Sequence, residues 1–260
     1  MTGSDDELPR RAIVPRLPVA AGARIGAAAR GGGLTMAIAC VREVLIGSAV
    51  PYTRPGSSSA IGKSAVAGAV AVDSEGLAGD QHGDPRVHGG PDKAIHCYSW
   101  SHYQTWLQEL PGHARLAQAG AFGENLSVEG LDEHSVCIGD RCRIGTTMVE
   151  VSQGRQPCWK LNDRFAVPDM ARRVQDSLRA GWYLRVIAAG HIRAGDAIVV
   201  QHRPFAQWTI ARLLALIRDR TCDPLALREV LALPLPAAWQ RLFAARLHSG
   251  CVESWQARME

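Results

Sequence analysis

A chain of 260 residues with 47% hydrophobic composition, 21% charged residues and a net charge of +4 has room for one large domain and a smaller appendage. That composition excludes a fully disordered protein, and no uninterrupted apolar run reaches the ~18 residues of a membrane span. The weak positive charge is not gathered on one helix or face, so neither a membrane nor a nucleic acid is the expected partner.

Residues 1–35 read as a disordered tail, with five arginines, three early acids, three prolines and Gly31-Gly32-Gly33 but no periodicity. Met36, where the character changes, is a candidate translation start. Strands are expected over 37–46, 66–72, 94–100, 125–128, 136–144, 147–152, 182–188 and 197–201, separated by Gly-rich turns. Two helical patterns interrupt them, 101–110, stopped by Pro111-Gly112, and 168–178. After Pro204 the pattern becomes helical: an apolar stripe over 208–218, a segment opened by Asp223-Pro224, and a third from Pro236 to a stop at Gly250. Many short strands followed by three short helices predict a mainly β fold: a barrel or sandwich over 36–203 and a helical bundle over 204–260.

Seven cysteines, an odd number with no disulfide-framework spacing, and no secretory leader pattern point to reduced thiols and a cytoplasmic protein. Cys137 and Cys142 begin an iron–sulfur spacing that no later cysteine completes. His82, His88 and His96 do not match a familiar zinc spacing.

Three segments concentrate unusual residues. The first runs from Gly76-Leu77-Ala78-Gly79-Asp80 to His88-Gly89-Gly90-Pro91-Asp92-Lys93-Ala94. Such a loop brings backbone N–H groups close to an anion, with His88 as a proton donor or acceptor; alternatively it is a tight turn with a capping histidine. The second, Phe122-Gly123-Glu124-Asn125-Leu126, either caps a turn or presents the Asn125 amide to a heterocycle. In the third, Ser152-Gln153-Gly154-Arg155-Gln156-Pro157-Cys158-Trp159-Lys160-Leu161, the thiol of Cys158 lies between two cations, which favours its thiolate form. Only three of the 29 basic residues are lysines, and Lys160 is one of them.

Within these segments four motifs, Gly-Leu-Ala-Gly-Asp, His-Gly-Gly-Pro-Asp-Lys-Ala, Phe-Gly-Glu-Asn-Leu and Ser-Gln-Gly-Arg-Gln-Pro-Cys-Trp-Lys-Leu, in this order, resemble the MOSC domain, named for the C-terminal domain of molybdenum cofactor sulfurases. The three-helix extension places the resemblance nearest the YiiM-like branch, over residues 36–260. The resemblance implies a MOSC-type β-barrel with a few helices, followed by the three-helix bundle, and a molybdopterin-type molybdenum cofactor; pyridoxal phosphate is not expected. It implies that Cys158 ligates the metal and that Gly89, Gly90, Lys93, Asn125, Arg155 and Lys160 hold the cofactor. It further implies reduction of N-hydroxylated compounds, such as hydroxylaminopurine base analogues, to amines, with Cys158 and His88 as catalytic residues. Electrons would come from a separate reductase, and a homodimer is the default assembly. Three rival readings remain open: a non-catalytic cofactor or sulfur carrier, a Cys/His hydrolase or transferase built on Cys158 and His88, and a DNA-associated protein acting through the C-terminal bundle.

Overall fold

A computed structural model describes residues 39–83 and 89–260. The expected tail and His88 lie outside the described residues. In chain order the strands are β1 (Ala39–Ile46), β2 (Val50–Pro51), β3 (Ser58–Ser59), β4 (Ser64–Ala65), β5 (Val70–Asp73), β6 (Gly76–Leu77), β7 (Ile95–Ser99) and β8 (Leu126–Glu129). They continue with β9 (Arg141–Ile144), β10 (Thr147–Gly154), β11 (Trp182–Ala188), β12 (Gly190–Ile192) and β13 (Ala197–His202). The α-helices are α1 (Ser101–Glu109), α2 (Lys160–Phe165), α3 (Met170–Asp176), α4 (Ile210–Arg218), α5 (Pro224–Leu231), α6 (Ala237–Ser249) and α7 (Gln256–Met259).

Seven strands close a barrel in the order β13-β9-β10-β11-β7-β8-β1, sealed by Ala39 and Cys40 of β1 pairing Ile198 and Ala197 of β13. Every pairing in this ring is antiparallel except β7 with β8. Parallel neighbours require a crossover, and α1 with the loop after it provides one. Its buried face stacks the barrel's aromatic core: Tyr98 lies on Phe122 with ring centroids 4.2 Å apart, and the Trp106 indole donates to the Tyr98 hydroxyl at 2.7 Å.

Closure leaves the barrel no open edge, and glycine permits the tightest approaches. A Cβ on Gly76 would stand 2.3 Å from the Ala94 carbonyl oxygen, and its φ of +120° strains any L side chain, so the turn at β5–β6 is reserved for glycine.

The expected strand over 136–144 begins only at Arg141. Residues before it form a turn in which Asp140 accepts from the Cys137 N–H at 2.9 Å and pairs with Arg203, and an isolated bridge joins Cys137 to Thr209. The helix expected over 168–178 is confined to Met170–Asp176, and α2 precedes it without a helical stripe long enough to be read. The C-terminal helices follow their local signals. The Thr209 side chain caps α4 and Asp223 caps α5, each accepting a backbone N–H three residues on, and Gly250 ends α6 with φ +67°.

Candidate functional site

At the end of β10 the backbone leaves the barrel wall and carries Arg155, Pro157 and Cys158 across one mouth of the barrel. Two polar residues of this strand fix the neighbouring motif. The Ser152 hydroxyl donates to the Asp92 carbonyl at 2.6 Å, and the Gln153 amide donates to the same oxygen at 3.1 Å. Lys93 is thereby held beside the cysteine loop.

Beside this loop lies an inner chamber of about 90 Å³. Cys158, Lys93, Lys160 and Tyr183 line both the chamber and a wider outer cleft of about 1010 Å³ that opens to solvent. The thiol, half-buried, thus stands where the two spaces meet. The outer cleft's far wall comes from the C-terminal helices, through Ala238, Trp239 and Leu242 of α6 and Ala257 and Arg258 of α7.

All three lysines of the chain line the inner chamber, with Arg155 as a fourth cation. Among the described lining residues Asp80 is its one acid. Burial pulls the Lys63 ammonium below its ordinary range, opposed by an ion pair with Asp80; burial does the same to Lys93, opposed by Asp92 and Cys158. The Lys160 ammonium donates to the Ser58 carbonyl at 2.7 Å. Two buried polar atoms in residues of this wall have no protein partner, Nη1 of Arg155 and Nε2 of His96. A buried donor without an acceptor costs about 1–3 kcal/mol, so Nη1 of Arg155 marks a place for a ligand's polar group, whereas Nε2 of His96 abuts the Gly181 backbone. Burial, reinforced by the Arg155 charge, lowers the His96 pKa to about 3, so its ring is neutral at physiological pH.

The other expected site residues divide. Asn125 lines the chamber, but its amide is occupied: it donates to Asp80 at 2.8 Å and to the Leu45 carbonyl at 3.2 Å, and accepts from the His96 N–H at 3.1 Å. Glu124 beside it is fully buried, accepting from the Gly120 and Phe122 amides at 2.8 and 3.1 Å and from the Tyr103 hydroxyl. The Phe-Gly-Glu-Asn-Leu motif therefore builds the wall, with Asn125 as its tie to Asp80. Gly89 and Gly90 are not among the residues lining either space. Gly90 has φ +92° and open space where a Cβ would go, so backbone conformation, rather than close approach, is what glycine supplies there.

Lys63, Asp80, His96, Tyr183 and Arg258 join the site without having been singled out for it in the sequence. Scarcity was the available signal for Lys63, since lysine is rare in this chain. Arg258, a hundred residues after Cys158, carried none.

No helix among the described residues is long and apolar enough to cross a membrane. The MOSC domain is matched over residues 84–199 and the YiiM-like three-α-helix domain over 208–250. Protein YiiM of Escherichia coli is 37% identical over 205 residues, spanning 78% of this chain and 91% of that protein. A Gibberella moniliformis protein named a reductase is 37% identical over 193 residues, of which it is itself covered over only 34% of its length. The crystal structure of E. coli YiiM superposes with a TM-score of 0.70 at 31% identity, covering 85% of this chain and 97% of that one. That of Geobacillus stearothermophilus YiiM gives 0.69 at 31%, covering 80% and 99%. With its closed barrel, its helical extension and a relative matched over nearly its whole length, the chain belongs to the MOSC-domain family, in the YiiM-like group.

Proposed function

We propose that this protein is a molybdenum-cofactor-dependent reductase that converts N-hydroxylated small molecules to amines in the cytoplasm, with electrons delivered by a separate reductase. The observation that carries this reading is the position of Cys158, a thiol at the junction of a cation-lined chamber and a cleft open to solvent. A soft thiolate suits a molybdenum centre, and a chamber with four cations against one acid suits an anionic phosphate-bearing cofactor. The unpartnered Arg155 Nη1 is where such an anion would find a donor. The fungal relative's name, reductase, points the same way.

In this reading Cys158 is the metal ligand, and Arg155, Lys93 and Lys160 hold the cofactor. Gly89 and Gly90 shape the adjoining loop, and Asn125 keeps the wall in place. When bound, the cofactor supplies a centre that exchanges two electrons with the substrate. The balanced reaction adds two electrons and two protons to the hydroxylamine, breaks its N–O bond, and releases amine and water. The barrel side contributes charge and the thiol; the α6 wall contributes an apolar face to the outer cleft. His96, neutral and buried, can orient a polar group but is a poor proton donor. We assign proton supply to His88. The barrel at 36–203 and helical unit at 204–260 act as one catalytic body, in a homodimer.

Protein isolated from a host that makes molybdopterin should contain molybdenum and reduce N-hydroxylamines with reduced viologen as donor. Cys158→Ser should fold, keep its melting temperature within a few degrees, and lose turnover. A serine variant with full molybdenum and wild-type turnover would sink the assignment. A loaded wild-type protein that never turns over would favour the cofactor carrier instead.

A further inference from the structure

We propose that Arg258 is a positioning residue for Cys158, through which the C-terminal helical segment braces the reactive loop of the barrel. The Trp159 N–H, immediately after the thiol, donates to the Arg258 carbonyl at 2.7 Å. The Pro157 carbonyl, immediately before it, accepts from Nη1 of the same arginine at 2.7 Å. One residue thus grips the peptide groups on both sides of Cys158. Proline has no N–H, so its carbonyl is the backbone group there that can be tied by hydrogen bonding.

The brace is anchored at three further points. Nη2 of Arg258 donates to the Gln175 side chain on α3 at 2.7 Å. The next residue, Met259, is buried, and its carbonyl accepts from the Asn162 amide on α2 at 2.8 Å. Upstream, buried Arg246 on α6 makes a two-pronged ion pair with Glu253, both bonds at 2.8 Å, and Glu253 in turn accepts from the Trp255 indole at 2.8 Å. The segment entering α7 is therefore fixed to the helices at one end and to the thiol loop at the other. Charge-assisted, two-armed contacts of this kind give orientation as well as energy.

The functional meaning rests on Cys158 being the reactive thiol, whereas the brace itself can be tested in metal-free full-length protein. The variants are Arg258→Met, which removes the guanidinium with all its bonds, and Arg258→Lys, which keeps the charge but gathers its donors on a single nitrogen. Alkylation of Cys158 by iodoacetamide is followed over a pH series up to full ionisation of the thiol by peptide mass spectrometry, with exposed Cys251 as internal reference. Hydrogen exchange is read over residues 155–163 and over β10 and β11. With the thiol fully ionised in every variant, so that loss of the Arg258 charge does not change the thiolate fraction, the methionine variant should alkylate Cys158 about ten-fold faster, as expected for the loss of the charge-assisted bond to the Pro157 carbonyl. Exchange should rise only in the loop, and the lysine variant should fall between wild type and methionine. Unchanged Cys158 reactivity and loop exchange in a folded methionine variant would overturn the proposal. So would failure of both variants to fold, because Arg258 would then be a general stability residue. Loss of turnover in Cys158→Ser is read separately: its failure removes the catalytic reading and leaves the brace standing.

Discussion

The barrel and the C-terminal helices wall the same cleft but are held by bonds of different reach. In the barrel the polar ties span long stretches of chain: Asn125 to Asp80, Ser152 and Gln153 to Asp92, Lys160 to Ser58. In the helical region the caps that form the helices are short, Thr209 to Arg212 and Asp223 to Ala226, and the longer ties, Arg246 to the Leu216 and Thr221 carbonyls and Arg258 to Pro157, dock segments already formed. Helices complete their hydrogen bonding within a segment, so local signals suffice to form them. A barrel mouth exists only after its strands have closed, and its side chains meet only then. The barrel, whose mouth depends on long-range ties, therefore holds the charge and the thiol, and the locally capped helices supply a wall and, through Arg258, a brace.

This contrast can be broken most severely at Glu124. Its buried carboxylate satisfies two backbone amides and the Tyr103 hydroxyl, so Glu124→Ala should cost about 3–5 kcal/mol in urea unfolding. Glu124→Gln, which keeps an acceptor, should cost less. A loss below 1 kcal/mol for the alanine variant would show that the barrel tolerates a broken motif.

Next in size is Arg246→Met. It removes the pair with Glu253 and the bonds to the Leu216 and Thr221 carbonyls, so a loss of about 2–4 kcal/mol is expected. If the two regions differ as described, Trp239 and Trp255 fluorescence should change before the barrel's signals in a denaturant series. A single coincident transition would merge the regions into one cooperative unit.

A smaller effect is expected at Asp223, the cap of α5: Asp223→Ala should cost about 1 kcal/mol and leave Cys158 alkylation unchanged. A change in thiol reactivity there would mean that the helices couple to the site by more than the α7 brace.

The smallest effect is acid-dependent. Burial pushes the Glu253 carboxyl up, but hydrogen bonds from Arg246 and Trp255 outweigh it and leave the group below its ordinary range. A depressed folded pKa contributes stability that is complete above the unfolded value of about 4.3 and lost as pH falls through the folded one. Trp255 emission should thus be flat from neutrality down to about pH 5 and shift only in more acidic solution. Glu253→Gln should abolish that acid step; its persistence would assign the transition to another carboxyl.

Much of the fold was legible before any coordinates. Strands β1, β7, β8, β10, β11 and β13 and helices α4, α5 and α6 lie where alternation, helical stripes and caps put them. The short strands β2, β3, β4, β6 and β12, of two or three residues, are too short to leave a periodic trace, and β12 forms only by pairing β5 more than a hundred residues before it. Cys158 stood out by its flanking cations, and the structure sets it at a cavity. The glycines of the His-Gly-Gly motif stood out equally and lie off that cavity's described lining, because a glycine needed for positive φ and one needed for close approach look alike in sequence.

By itself the sequence determined the family, through four motifs in order, and the local elements, through periodicity and caps. Tertiary structure alone decided how each motif residue is used. Asn125 and Glu124 are spent on neighbours that barrel closure brings to them, whereas Arg155 and His96 are left with a buried polar atom unpaired. Whether a polar group is satisfied depends on what surrounds it in space, and hydrogen bonds act over about 3 Å. That distance bears no relation to separation along the chain, which is why Arg258 could come to flank Cys158 unannounced.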